Sequence, residues 1–239
     1  MWKGIAQDAL VMNTDDLACI GATQNFLCNN TIGRNIHHIP SEVIAAVIEG
    51  MEAFCQRMRD MGINIHMAGG ETADVGDLVR NIIVDASAAV RLKKTNLIQA
   101  RRIAKGDLIV GLASFGQAKY EDEYNSGMGS NGFGLARHAL LKKMYATKYP
   151  ESFDPNITQH AYTGKYLLTD TPKPGYPSIG KMLLSPTRTY LPILKEAIAK
   201  HAKDIHGIIH CTGSGTTKVL RFLKNVKIIK DKLLSLIHI

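Results

Sequence analysis

The chain has 239 residues, 45% apolar and 21% charged, the composition of a soluble globular protein with room for one large domain or two small ones. No run of 18 uncharged apolar residues occurs, which excludes a transmembrane helix. The net charge of +8 is uneven, with 8 Lys/Arg against 11 Asp/Glu in residues 1–94 and 21 against 10 in residues 95–239; no finger, RNA-binding signature or basic heptad accompanies it, so the excess suits anionic small molecules rather than nucleic acid.

In chain order, Ile5 to Ala22 reads as a helix ending near Gly21. Asp8 and Asp15, seven apart, share one face of it, and Asp16 lies off that line. An inward-facing Asp15–Asp16 pair must be partnered or hold a cation; outward, it is a solvated helix edge. Cys19 to Asn35 is polar and turn-rich, a short strand with a long loop. Pro40 to Met61 is a helix with Ser41 as N-cap, closed by Gly62. Val43, Val47, Met51, Phe54 and Met58 form its apolar stripe. Ile63 to Met67 reads as a strand feeding a glycine turn at Gly69-Gly70. Val79 to Leu92 reads as a second long strand. The basic stretch Lys93 to Lys105 marks a boundary, giving domains 1–94 and 95–239. Beyond it come a buried strand Leu108 to Leu112, a glycine-rich stretch from Gly116 to Gly134 and a helix from Asn131 to Tyr149. A loop follows to Tyr176, then a helix from Thr189 to Ala202, a strand from Ile205 to His210, a glycine turn and a helix from Thr216 to Leu223. The alternation fits an α/β or α+β fold.

Several stretches carry chemistry. In Ala68-Gly69-Gly70-Glu71-Thr72-Ala73-Asp74, glycines let successive N–H groups face an anion, and Glu71 suits a divalent cation such as Mg²⁺. The bland alternative is a tight turn with a solvated acid. Ser126-Gly127-Met128-Gly129-Ser130-Asn131-Gly132 precedes a helix that Ser130 or Asn131 can cap while donating to an anion. Its G-x-G-x-x-G spacing lacks the acid some twenty residues on, so no dinucleotide site is read there. Arg188 in Ser185-Pro186-Thr187-Arg188 reads as an anion clamp or as a surface arginine at a helix start. His210-Cys211-Thr212-Gly213-Ser214-Gly215 reads as a turn offering N–H groups to phosphate, not as a Cys–His dyad. His37-His38 reads as a solvated pair. The cysteines Cys19, Cys28, Cys55 and Cys211 form no C-x-x-C motif and read as reduced thiols of a cytosolic protein.

Taken in order, Met12-Asn13-Thr14-Asp15-Asp16-Leu17-Ala18-Cys19-Ile20-Gly21-Ala22, Gly69-Gly70-Glu71-Thr72-Ala73, Ser130-Asn131-Gly132, Ser185-Pro186-Thr187-Arg188-Thr189-Tyr190 and His210 to Gly215 resemble the aminoimidazole ribonucleotide synthetase (phosphoribosylformylglycinamidine cyclo-ligase) family of purine biosynthesis. The likeness runs from about Ile5 to Lys230 and looks closest to the bacterial form. It implies a two-domain α/β fold, a homodimer, a cytoplasmic enzyme, ATP and Mg²⁺. It also implies a reaction in which ATP activates the amide oxygen of formylglycinamidine ribonucleotide before ring closure. By motif position, Asp16 and Glu71 would serve the metal and the ATP phosphates, with Gly69, Gly70 and Thr72 shaping that pocket. Ser130, Asn131, Gly132, Arg188, Thr212 and Gly213 would face the phosphorylated ribonucleotide. No catalytic residue is assigned.

The family's Asp-Gly-Val-Gly-Thr-Lys motif is missing, Gly129 stands where many relatives have histidine (a role His138 is one candidate to fill), and Leu233 to Ile239 replaces further strands and helices. The expectation is therefore a piece of the enzyme, cut at both ends, with an incomplete first domain and little activity alone. The rival expectations are a thiamine-phosphate kinase-like, selenophosphate synthetase-like or hydrogenase-maturation-like relative, or a non-catalytic scaffold.

Overall fold

The computed structural model describes residues 2–213, 215–223 and 226–230. Ser214, Lys224, Lys232 and the stretch Leu233 to Ile239 lie outside them.

The first helix, α1 (Trp2–Ala18), begins and ends earlier than its sequence pattern predicts, because turns already close at residues 19–22 and Gly21 takes a φ of +96°. The polar stretch after it is not mainly loop. It forms β1 (Phe26–Arg34), nine residues long and central to a three-stranded sheet of order β2-β1-β3. Phe26, Cys28 and Ile32 point inward, while Leu27, Asn29 and Thr31 point to the open side. That alternation carries its polar residues without breaking the strand.

The next helix, α2 (Ser41–Asp60), buries Val43, Val47, Met51, Phe54 and Met58, as its stripe requires. Ser41 is its first residue rather than its cap; Pro40 holds the cap position with no side-chain hydrogen bond. Then β2 (Ile65–Asp74) pairs parallel to β1, and β3 (Ile82–Ala89) pairs antiparallel to it. The Gly-Gly-Glu-Thr stretch is thus a strand, not a turn, since Asn29 to Arg34 supply partners from Gly69 through Asp74. The parallel ladder slips once: Cys28 faces Met67 but Asn29 faces Gly69, which leaves Ala68 as a bulge. Gly70 is glycine for a steric reason. A Cβ there would stand 1.8 Å from Asn30 Oδ1, a side chain that is nearly buried.

Both long helices cover one face of the sheet. The core there joins Leu10, Val11, Phe26, Ile32, Met51, Phe54 and Ile65, and it reaches Leu191 and Leu194 of a late helix, α6 (Leu191–His201). Between them lie α3 (Gly129–Leu140), α4 (Met144–Lys148) and α5 (Ile179–Leu183). The helix expected from Asn131 to Tyr149 is split because Leu141 is extended and bridges Tyr166. Leu141, Phe153, Tyr162, Ile179 and Leu183 form a second, smaller core. Two strand expectations fail. Leu108 to Leu112 is exposed and irregular, with Leu108 at 92%, and Ile205 to His210 is irregular too. His206 ties the second stretch to Asp107 at 2.9 Å, but neither stretch has a ladder partner among the described residues. Gly215–Arg221 is a 3₁₀ stretch where an α-helix was expected.

Candidate functional site

The polar faces of α1 gather segments from far along the chain. Asp8 accepts the backbone N–H and the hydroxyl of Thr187, both at 2.7 Å. Two helical turns on, Asp15 accepts the Thr189 hydroxyl at 2.8 Å and the Tyr190 N–H at 2.7 Å. Asn13 donates to the Ala86 carbonyl of β3 at 2.9 Å. Asp16 turns outward and takes the Nδ1 side of His210 at 2.9 Å. The pair of acids read from the sequence therefore divides: Asp15 is buried and partnered, and Asp16 is a surface carboxylate with an imidazole beside it. Burial pushes Asp15 up to about 7 despite its two donors, and Asp16 adds to the shift. Asp8 is raised as well, by burial against the opposing pull of Thr187.

The glycine loop ends at the same face. Ser130 N–H donates to the Thr187 hydroxyl oxygen at 2.9 Å, and Asn131 Nδ2 lies 3.9 Å from Met12 Sδ. Gly127 has φ of +76° and packs so tightly on Ser114 that a Cβ would come within 2.7 Å of its hydroxyl. Gly132 follows in the first turn of α3. At the other end Thr212 accepts from Lys218 Nζ at 2.9 Å, and Gly213 has open space around it. Asn131 directly and Ser130 through Thr187 thus border α1, and His210 meets it at Asp16, 194 positions away.

Arg188 is neither an open clamp nor a surface arginine. Its guanidinium is 6% exposed and donates to both oxygens of Glu121 and to the carbonyls of Ala113, Phe115 and Gly116. Burial works against its charge, but Glu121 outweighs it and raises its pKa above the ordinary value. All five donors of the group are used. Sequence reasoning could not see this, because Glu121 is 67 positions away and carries no motif.

Glu71 lies elsewhere. It is level with Thr31 of β1, and Thr31 is level with Asp85 of β3, so all three stand on the open side of the sheet. The helix bearing Asp16 packs on the opposite side. Asp16 and Glu71 of one chain therefore do not fit a shared Mg²⁺, and no group of three or more His, Cys, Asp or Glu side chains suited to a metal occurs among the described residues. Gly69 and Gly70 sit on the same edge strand as Glu71, and Thr72 lies beside Ile32.

Other candidates are quieter. His37 and His38 are exposed in a turn. His138 packs on Tyr162, with ring centroids 4.9 Å apart, and burial lowers its pKa. Burial raises the thiols of Cys19 and Cys55 to about 12 and that of Cys28 to about 11, which leaves them unreactive. A cleft of about 320 Å³ opens beside the site between Gln7, Arg57, Tyr120, Asn125 and Lys181, and of the motifs singled out in the sequence only Ser185, Pro186 and Thr189 line it.

Residues 1–90 match the family model described as AIR synthase related protein, N-terminal domain. Over that span the chain is similar to that domain. The whole chain is similar to archaeal proteins named phosphoribosylformylglycinamidine cyclo-ligase. Identity is 27% with that of Methanosarcina mazei, over 93% of this chain and 54% of the relative. It is 28% with that of Methanococcus vannielii, over 92% and 51%, and 27% with that of Methanocaldococcus jannaschii, over 95% and 53%. The chain spans about half the length of these curated relatives. They are archaeal, where the motifs alone pointed to the bacterial form. The matched segment holds α1, α2 and the whole sheet, so Asp16 and Glu71 both lie within it.

Proposed function

We propose that this chain is the part of a cyclo-ligase that binds ATP and a phosphorylated ribonucleotide in the cytoplasm, and that it converts formylglycinamidine ribonucleotide to aminoimidazole ribonucleotide when its sites are complete. One observation carries the reading. The family-like motifs, remote in sequence, converge on one helix, so that Ser130, Asn131 and Thr187 approach Asp8 and Met12 while His210 approaches Asp16. A ring closure driven by phosphate activation needs positioning and charge neutralisation more than covalent help from the protein. The loop N–H groups and the basic later half of the chain suit a phosphorylated substrate.

Because Asp16 and Glu71 of one chain stand on opposite sides of the sheet, we take the Mg²⁺-ATP site to combine Asp16 of one copy with Glu71 of another in a homodimer. A dilute single chain then turns over little or nothing. Titration of the purified chain with Mg²⁺-ATP, beside Glu71→Ala, tests the reading. Binding that vanishes in Glu71→Ala supports it. A folded chain that binds no nucleotide at any concentration leaves a scaffold instead.

A further inference from the structure

We propose that Glu121 and Arg188 are positioning residues, the pair that sets where the glycine loop holds Ser130 and Asn131 over α1. The inference rests on the reading above that this loop meets the ribonucleotide. Glu121 Oε1 takes Arg188 Nε at 2.9 Å and Oε2 takes Nη2 at 2.5 Å, a two-pronged contact with both side chains largely withdrawn from water. The remaining guanidinium donors reach the carbonyls of Ala113, Phe115 and Gly116 at 2.8–3.1 Å, which fixes the start of the loop.

Glu121 passes the order onward. Its Oε1 also accepts from Asn125 Nδ2 at 3.1 Å, and its Oε2 from the Ala118 N–H at 2.8 Å. Buried Asn125 in turn donates to the Pro186 carbonyl at 2.8 Å and accepts the Gly127 N–H at 2.9 Å. The last step is Thr187, the neighbour of Arg188, which receives the Ser130 N–H and gives its hydroxyl proton to Asp8. One buried ion pair therefore fixes the loop at both ends relative to α1. No donor of Arg188 is left for a ligand, so the pair acts through Ser130 and Asn131 rather than by touching substrate. Lysine cannot replace it, since an ammonium has no planar fork to span a carboxylate and three carbonyls.

The test uses the full chain, Glu121→Gln and Arg188→Lys. Hydrogen exchange is followed at Gly116, Ala118, Asn125, Gly127 and Ser130, with titrations of formylglycinamidine ribonucleotide and of Mg²⁺-ATP. The expected result is faster exchange at these amides and a ribonucleotide affinity lowered about tenfold or more, with Mg²⁺-ATP affinity little moved in Glu121→Gln. Unchanged loop exchange overturns the proposal. So does a parallel fall in melting temperature and in affinity for both ligands, the mark of a role in folding alone. If the parent chain binds no ribonucleotide but loop exchange still depends on the pair, the loop-holding role stands and the cyclo-ligase reading falls.

Discussion

Asp15 and Thr189, 174 positions apart, meet at 2.8 Å in a buried contact that ties α1 to the start of α6. A carboxylate held there costs solvation, and burial, more than its donors can offset, pushes its pKa from an ordinary 3.8 up to about 7. The folded state binds the proton more tightly than the unfolded one. Asp15 therefore favours folding most below about pH 4, and this contribution declines as pH rises toward 7, by about 1.4 kcal/mol per unit. Asp15→Asn keeps an acceptor and removes the charge. Urea unfolding from pH 4.5 to 8 should show the parent losing stability relative to Asp15→Asn across that window. Parallel curves would mean that Asp15 is not the titrating group.

Gly70→Ala should destabilise the sheet by about 1–3 kcal/mol, because the new methyl group meets the Asn30 side chain. Adding Asn30→Ala should recover much of the loss. Denaturation midpoints of the two single variants and the double variant decide this, and additive effects would refute the steric account.

A Mg²⁺-ATP site shared between copies makes a prediction about mixtures. Asp16→Ala and Glu71→Ala should each lose nucleotide binding alone. Mixed in equal amounts and allowed to exchange partners, they should regain about a quarter of the parent's sites, since half the dimers are mixed and each has one intact site. No recovery in a mixture shown to exchange would put both residues in one site or in none.

Leu191→Ala should cost about 2–5 kcal/mol, since its side chain is fully buried in the core that also holds Phe26 and Phe54. Thermal or urea unfolding followed by fluorescence and by far-ultraviolet dichroism should shift together. A loss below about 1 kcal/mol would mean that α6 adds little to the first core.

The first half of the fold was the more legible. The stripe of α2 appears in the buried positions one for one, since a helix packed on a sheet has a fixed period. The seven-residue spacing of Asp8 and Asp15 correctly placed them together, though nothing local revealed Thr187 and Thr189 as their partners. Two readings failed for nameable reasons. Glycines usually mark turns, but Gly70 lies mid-strand to make room for Asn30. An arginine beside a helix start looks free until its acid, Glu121, is brought in by tertiary structure. Leu108 to Leu112 reads as a buried strand by composition, yet burial requires a neighbour that local sequence does not specify.

The slip of the ladder at Ala68 decides more than local shape. Were Asn29 level with Ala68, Thr31 would lie level with Gly70 and Glu71 would lie level with Ile32, under the helices. Strand parity has two values, and whether Ala68 is bulged or paired selects between them. An acid that would have needed a partner in the core stands instead in water, where another molecule can reach it. Deleting that single small residue would close the ladder with Cys28 still level with Met67 and Asn29 with Gly69, and would leave Glu71 level with Thr31 in water.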